Sequence, residues 1–106
     1  MTELHKKAQQ LIDDNAVVVF SKSYCPYCSQ TKSILDGLDV EYVVYELDRE
    51  SDGSDLQDAL EEISRQRTVP NVYIKQKHIG GNSDIQSLKA AGKLQDLLRD
   101  AGAIKA

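Results

Sequence analysis

Cys25-Pro26-Tyr27-Cys28 constrains this chain more than any other stretch, because it marks where a strand gives way to a helix. It holds both cysteines of the 106-residue sequence and one of its two prolines. The apolar run Val17-Val18-Val19-Phe20 precedes it, and a segment with helical spacing follows. Two residues between the cysteines let one helical turn bring both sulfurs together. Proline suits the first helical position, where its missing N–H would have been an orphan donor anyway. The pattern predicts Cys25 at the N-cap and Cys28 one turn deeper and more buried. A Cys-x-x-Cys at a strand-to-helix junction in a short chain reads as a dithiol exchange site.

Thiol–disulfide exchange needs a thiolate to attack and a second thiol close enough to finish. A free cysteine has a pKa of about 8.5, so attack at neutral pH gains if the thiolate is favoured by roughly 2 kcal/mol. A helix N-terminus typically supplies about 0.3–1 kcal/mol, and up to about 2 kcal/mol when partly buried. The helix alone is marginal, which makes Lys22, three residues before Cys25, the expected second contributor. Cys25 is therefore the expected nucleophile and Cys28 the expected resolving thiol. Zinc is the main competing reading, but zinc usually takes four ligands. Here one cysteine pair stands with two distant histidines, His5 and His78, and no second Cys-x-x-Cys. Two inert core cysteines are the other alternative, and a proline between them at a helix start argues against it.

The length reads as one domain, residues 1–106, able to bury a modest core without staples. A net charge of −4 with no dominant basic stripe argues against a nucleic-acid partner. No run approaches the ~18 apolar residues of a membrane span, and Thr2-Glu3-Leu4-His5-Lys6-Lys7 lacks a signal peptide's apolar region. Two cysteines do not make a secreted disulfide framework, so a reducing compartment, the cytoplasm, is expected. A leader removed earlier would leave the same chain.

Apolar spacing places the elements. Leu4, Ala8, Leu11 and Ile12 predict a helix over residues 3–14, and residues 16–20 a strand buried on both faces. Cys28, Thr31, Ile34, Leu35 and Leu38 share one helical face that ends near Gly37. Residues 41–47 predict a second strand, parallel to the first through a right-handed crossover, and residues 49–55 a loop. Ser54 with Gln57 resembles a capping box for a helix whose face is Leu56, Ala59, Leu60 and Ile63. After Thr68-Val69-Pro70, residues 71–74 and 77–79 read as a hairpin about Lys75-Gln76. Gly80-Gly81 allows close backbone approach or positive φ, and Ser83 with Gln86 resembles a second capping box. Gly92 breaks that helix, Leu94, Leu97 and Leu98 restart one, and Gly102 suits its C-terminal cap. His5 and His78 read as ordinary surface or strand residues, not ligands, and Glu61-Glu62 and Asp13-Asp14 as solvated helix faces or ends.

Lys22, Cys25-Pro26-Tyr27-Cys28, Thr68-Val69-Pro70 and Gly80-Gly81-Asn82-Ser83-Asp84, in this order and spacing, resemble the dithiol class of the glutaredoxin family across essentially the whole chain. The wording, including Gln66-Arg67-Thr68-Val69-Pro70-Asn71, looks most like fungal cytoplasmic members. The resemblance implies an α/β, thioredoxin-like fold: a four-stranded mixed sheet in order 2-1-3-4 flanked by about five helices. It implies glutathione as co-substrate, no metal and no bound cofactor, and a monomer acting on glutathionylated or disulfide-containing proteins. It further implies that Lys22 and Gln66 hold the glycine carboxylate of glutathione, with Tyr27 lining that end. Val69 would pair its backbone with the cysteinyl unit, ahead of a cis Pro70. Beside Gly81, the Ser83 and Asp84 amides would bind the γ-glutamyl carboxylate, and the Asp84 carboxylate would take the amino group.

Two departures stand out. Lys75-Gln76 replaces the Asn-Gly usual at the hairpin turn, which predicts a different turn geometry. Arg65 stands where glycine is common before Gln66, which puts the placement of Gln66 in question. Arg65, Arg67, Lys75 and Lys77 would also add positive charge near one end of the site. The competing functions are a thioredoxin-like enzyme fed by a flavoprotein reductase, an iron–sulfur carrier bridged by two chains through Cys25, and a redox-dead binding module. The missing tryptophan before the dithiol argues against the first, and a loop stiffened by Pro26 against the second.

Overall fold

Thr2 opens the first helix. Its hydroxyl accepts the His5 N–H at 3.2 Å, and its own N–H points to His5 Nδ1 at 3.4 Å. The computed structural model describes residues 2–104, so the outer ends of the expected 1–106 domain lie outside the described residues. Helix α1 (Glu3–Asp14) follows the apolar spacing and buries Ala8 and Ile12. Strand β1 (Val17–Ser21) is buried at all five positions. It leads into α2 (Pro26–Gly37), which begins at the proline as expected. Strand β2 (Val43–Glu46) is shorter than residues 41–47, because Leu47 leaves the sheet for a 3-10 turn (Leu47–Arg49) that buries its side chain. The remaining elements are α3 (Gly53–Ser64), β3 (Asn71–Ile74), β4 (Lys77–Gly80), α4 (Asn82–Ala90) and α5 (Leu94–Asp100).

The sheet order is β2-β1-β3-β4, with β1 parallel to β2, antiparallel to β3, and β3 antiparallel to β4. This is a thioredoxin-like fold. Its central strand explains why the apolar run is continuous and not alternating. Val17 and Val19 face Leu35, Ile85, Leu94 and Leu98 on one side of the sheet. Val18 and Phe20 face Ala8, Ile12, Leu56 and Leu60 on the other. Successive side chains point to opposite faces of a strand, and helices cover both.

Both expected capping boxes are corrected. Helix α3 begins at Gly53, with Asp52 and not Ser54 at its N-cap. Gly53 can start it there because a Cβ at this position would lie 1.6 Å from the Leu47 carbonyl oxygen. Gln57 instead donates to the Arg67 carbonyl at 2.8 Å, and the Asp52 carboxylate holds Lys7 and the Tyr45 hydroxyl. Helix α4 begins one residue after Gly81, whose N–H donates to the Asp84 carboxylate at 2.9 Å. Gln86 donates to the Asn82 side chain at 2.6 Å. His78 lies exposed on β4 and Glu62 on the solvated face of α3, as expected; His5 joins Glu62, tying α1 to α3.

The hairpin turn also differs from expectation. Lys75 and Gln76 both have positive φ, 51° and 68°, the conformation that Asn-Gly supplies in a two-residue hairpin. The strand register demands it, and Lys75 Nζ to Asp100 (3.1 Å) and Gln76 Nε2 to the Asp13 carbonyl (3.3 Å) hold the two side chains. Left-handed backbone costs a non-glycine residue roughly 1–2 kcal/mol. The double change Lys75→Asn, Gln76→Gly should therefore raise stability by about 1 kcal/mol. A urea midpoint that moves up at constant slope would show this; an unchanged or lowered midpoint would mean the two side-chain bonds outweigh the strain.

Candidate active site

The end of β1 delivers the chain to a short loop in which the Cys25 N–H donates to the Lys22 carbonyl at 3.1 Å. A neighbouring element holds this loop: the Ser23 N–H (2.9 Å) and hydroxyl both donate to Asp48, in the 3-10 turn after β2. Those serine bonds hold the Asp48 carboxyl below its usual range. A depressed folded-state value contributes stability above the unfolded pKa, lost as pH falls through the folded one. The difference in unfolding temperature between the protein and Asp48→Asn should be full at neutral pH and shrink below about pH 4. A difference that stays constant to low pH would show that the carboxylate charge does not hold the loop.

Cys25 occupies the N-cap of α2, and its Sγ accepts the Cys28 N–H at 3.3 Å. The same sulfur lies 3.8 Å from the Val69 carbonyl. Both cysteines are free; Cys25 is half-buried and Cys28 is fully buried. Burial pushes the Cys28 thiol up, and the adjoining Cys25 sulfur pushes the same way. Cys28 is the more buried of the two, as its place one turn into the helix predicted.

Beside the outer sulfur runs a groove of about 400 Å³ lined by Tyr27, Thr68, Val69, Pro70, Gly81, Asn82 and Ser83. The Val69–Pro70 bond is cis. The structure thus brings together five residues anticipated as ligand contacts: Tyr27, Val69, Pro70, Gly81 and Ser83. Tyr27 is 62% exposed at the rim. The groove ends at the start of α4, and Asp84 sits at the third position of that helix.

Three anticipated residues do not line the groove. Asp84 spends a carboxylate oxygen on the Gly81 N–H. Lys22, on the dithiol loop, is half-buried and makes no ion pair among the described residues. Gln66 is positioned in spite of Arg65, which takes the left-handed helix-ending conformation itself (φ 64°). Its amide, however, is engaged within the protein. Nε2 donates to the Thr68 (3.0 Å) and Pro70 (3.1 Å) carbonyls, and Oε1 faces His78 Nε2 at 3.1 Å. Of the four cations expected to add charge, Arg67 pairs with Asp58 and Glu61, and Lys75 with Asp100.

Sequence reasoning missed Asp48, His78 and Asn82. The Asn82 amide donates to Thr31 Oγ1 at 2.9 Å, a buried bond that joins α4 to the dithiol helix. A signal existed: Thr31 is a polar residue on an otherwise apolar helical face, and a buried hydroxyl requires a partner. Among the described residues no cluster of three His, Cys, Asp or Glu is placed to hold a metal ion, and no helix is long and apolar enough to cross a membrane.

Comparison with known proteins agrees with this geometry. The sequence model of the glutaredoxin family matches residues 17–79. A glutaredoxin of Vernicia fordii is 56% identical over 100 residues, covering 94% of this chain and 96% of that one. The crystal structure of a buckwheat glutaredoxin–glutathione complex superposes with a TM-score of 0.95 at 47% identity, covering 99% of this chain and 100% of that one. The chain belongs to the glutaredoxin family, with a dithiol-type site at Cys25 and Cys28. The expected likeness to fungal members is corrected: the Vernicia protein is a plant one, whereas a glutaredoxin of the fungus Rhizophagus irregularis is 42% identical over 98 residues.

Proposed function

We propose that this glutaredoxin is a glutathione-dependent thiol–disulfide oxidoreductase that reduces protein–glutathione mixed disulfides through Cys25 alone and protein disulfides through Cys25 and Cys28. The observation that carries the reading is the continuity of the half-exposed Cys25 sulfur with the Val69–Pro70 groove. The buckwheat relative, which forms a complex with glutathione, supports the choice of ligand.

In the first route the Cys25 thiolate attacks the glutathione sulfur of the mixed disulfide, and the protein thiolate leaves. Cys25 then carries glutathione, and the thiolate of a second glutathione attacks that sulfur, releasing glutathione disulfide and Cys25. In the second route Cys25 attacks a protein disulfide, and Cys28, deprotonated as its neighbour reacts, displaces the second protein thiol. The resulting Cys25–Cys28 disulfide is reduced by two glutathiones. Cys25 stands at the N-cap of α2, where helix termini favour negative charge. The tripeptide would lie along Val69 as a short added strand, its glycine end toward Tyr27 and Lys22. Its γ-glutamyl carboxylate would meet the Ser83 and Asp84 amides near Gly81, and its amino group the Asp84 carboxylate. We further propose that the protein works as a monomer in a reducing compartment, the cytoplasm.

The test is a coupled assay on a glutathionylated peptide. Turnover should follow the glutathione–glutathione reductase system and be negligible when thioredoxin reductase is the only electron source. The opposite ranking would replace this reading with the thioredoxin-like one.

A further inference from the structure

We infer that His78 and Gln66 form a positioning relay that fixes the Thr68-Val69-Pro70 segment, so that Gln66 serves the ligand through this segment and not by touching its glycine carboxylate. The inference rests on the glutathione reading of the groove and deepens it.

The atoms leave no choice of roles. Carbonyl oxygens only accept hydrogen bonds, so the end of the Gln66 amide facing Thr68 O and Pro70 O is its NH2 group. Both of its protons are then in use. The other end is the amide oxygen, an acceptor, and His78 Nε2 lies 3.1 Å from it. That nitrogen must therefore carry the proton, which sets the imidazole tautomer. The ring is held in place by packing on Tyr73, with centroids 5.3 Å apart and planes at 52°. Partial desolvation lowers the imidazole from its ordinary value, the Asp84 carboxylate opposing.

The bonded carbonyls flank Val69. Its own carbonyl lies 3.8 Å from the Cys25 sulfur, and its backbone borders the groove. The relay runs from β4, through the residue after the left-handed end of α3, to the loop before β3, so three elements converge on one peptide. A glutamine with both donors occupied has nothing left to offer a carboxylate unless the loop is released. In this arrangement the two carbonyls set which way the Gln66 amide points, His78 braces its oxygen, and Gln66 holds the peptides on either side of Val69.

The first test is spectroscopic. The imidazole nitrogen shifts of the labelled protein should report the Nε2–H tautomer for His78; an Nδ1–H tautomer would overturn the relay. The second separates action through the loop from direct contact. Gln66→Leu should raise KM for a glutathionylated peptide by about tenfold with kcat changed much less, since a small misplacement of a positioning group is felt in this range. The same ratio is expected on a substrate whose glycine carboxylate is converted to an amide. A penalty that disappears with the amide would show direct contact and end the proposal. His78→Leu should give the same KM effect, and His78→Gln, which restores an N–H donor, should recover most of it. Loss in both His78 variants, or in neither, with unfolding temperatures unchanged, would also refute the relay. Dependence of the unmodified protein on glutathione tests the functional reading separately.

Discussion

Cys25→Ser should lower turnover on glutathionylated peptides and on protein disulfides alike, by at least ~10³-fold, as removal of an attacking nucleophile does elsewhere. A serine hydroxyl is not ionised at neutral pH and is a poor attacker of sulfur. The structure should tolerate the change, since a serine oxygen at an N-cap accepts the first-turn N–H well, as the Cys25 sulfur now does at 3.3 Å. The loss is therefore expected with an unchanged unfolding temperature. Cys28→Ser should behave differently. The group that holds the attacking sulfur is the Cys28 backbone N–H, which the substitution keeps. A hydroxyl at this buried position would also sit near the Ser21 side chain and Lys22 backbone that adjoin the Cys28 sulfur. Reduction of glutathionylated peptide should stay within about threefold of the unmodified protein, as expected for a residue outside that route's chemistry. Reduction through an intramolecular disulfide should vanish. If Cys28→Ser lost both activities, the two sulfurs would not divide the work as their exposures suggest.

The order of elements was legible because it rests on local apolar spacing and on Pro26, which sets the start of α2 in any tertiary context. The groove was anticipated for a different reason: Tyr27, Val69, Pro70, Gly81 and Ser83, which line it, came from the family resemblance and not from spacing or composition. Reading by local motif failed wherever a polar side chain had a more distant partner. Ser54 and Gln57 fit a capping box on spacing alone, yet Gln57 is taken by the Arg67 carbonyl, ten residues away. Ser83 and Gln86 fail in the same way, because Asn82 captures Gln86 from within the first turn. At Lys75-Gln76 the register between β3 and β4 overrides residue preference and forces two left-handed conformations. Asp48 carries no local signal at all: only the parallel pairing of β1 with β2 brings it to Ser23, 25 residues earlier.

Gly80→Ala should cost about 2–4 kcal/mol of stability and weaken binding of the glutathionylated substrate. Gly80 lies at φ 126°, a region that side chains rarely adopt. An added Cβ would meet Asp84 Oδ2 at 2.2 Å and Cγ at 2.7 Å. The carboxylate is the part that can yield, since the chain on either side is fixed by the β3–β4 pairing and by the first turn of α4. Yielding breaks the 2.9 Å bond from the Gly81 N–H, a cap worth about 1 kcal/mol. It also carries the charge away from the place proposed for the ligand's amino group. The backbone strain adds about 1–3 kcal/mol that no side-chain movement relieves. Strain and collision can be separated by adding Asp84→Ala. With the carboxylate gone, Gly80→Ala should lose the collision part of its cost, so the double variant should be more stable than the sum of the single effects by about 1 kcal/mol. Denaturant unfolding of the four proteins measures this directly. Strict additivity would place the whole cost in the backbone and leave Asp84 unmoved, in which case Gly80→Ala should also leave KM for the glutathionylated peptide unchanged.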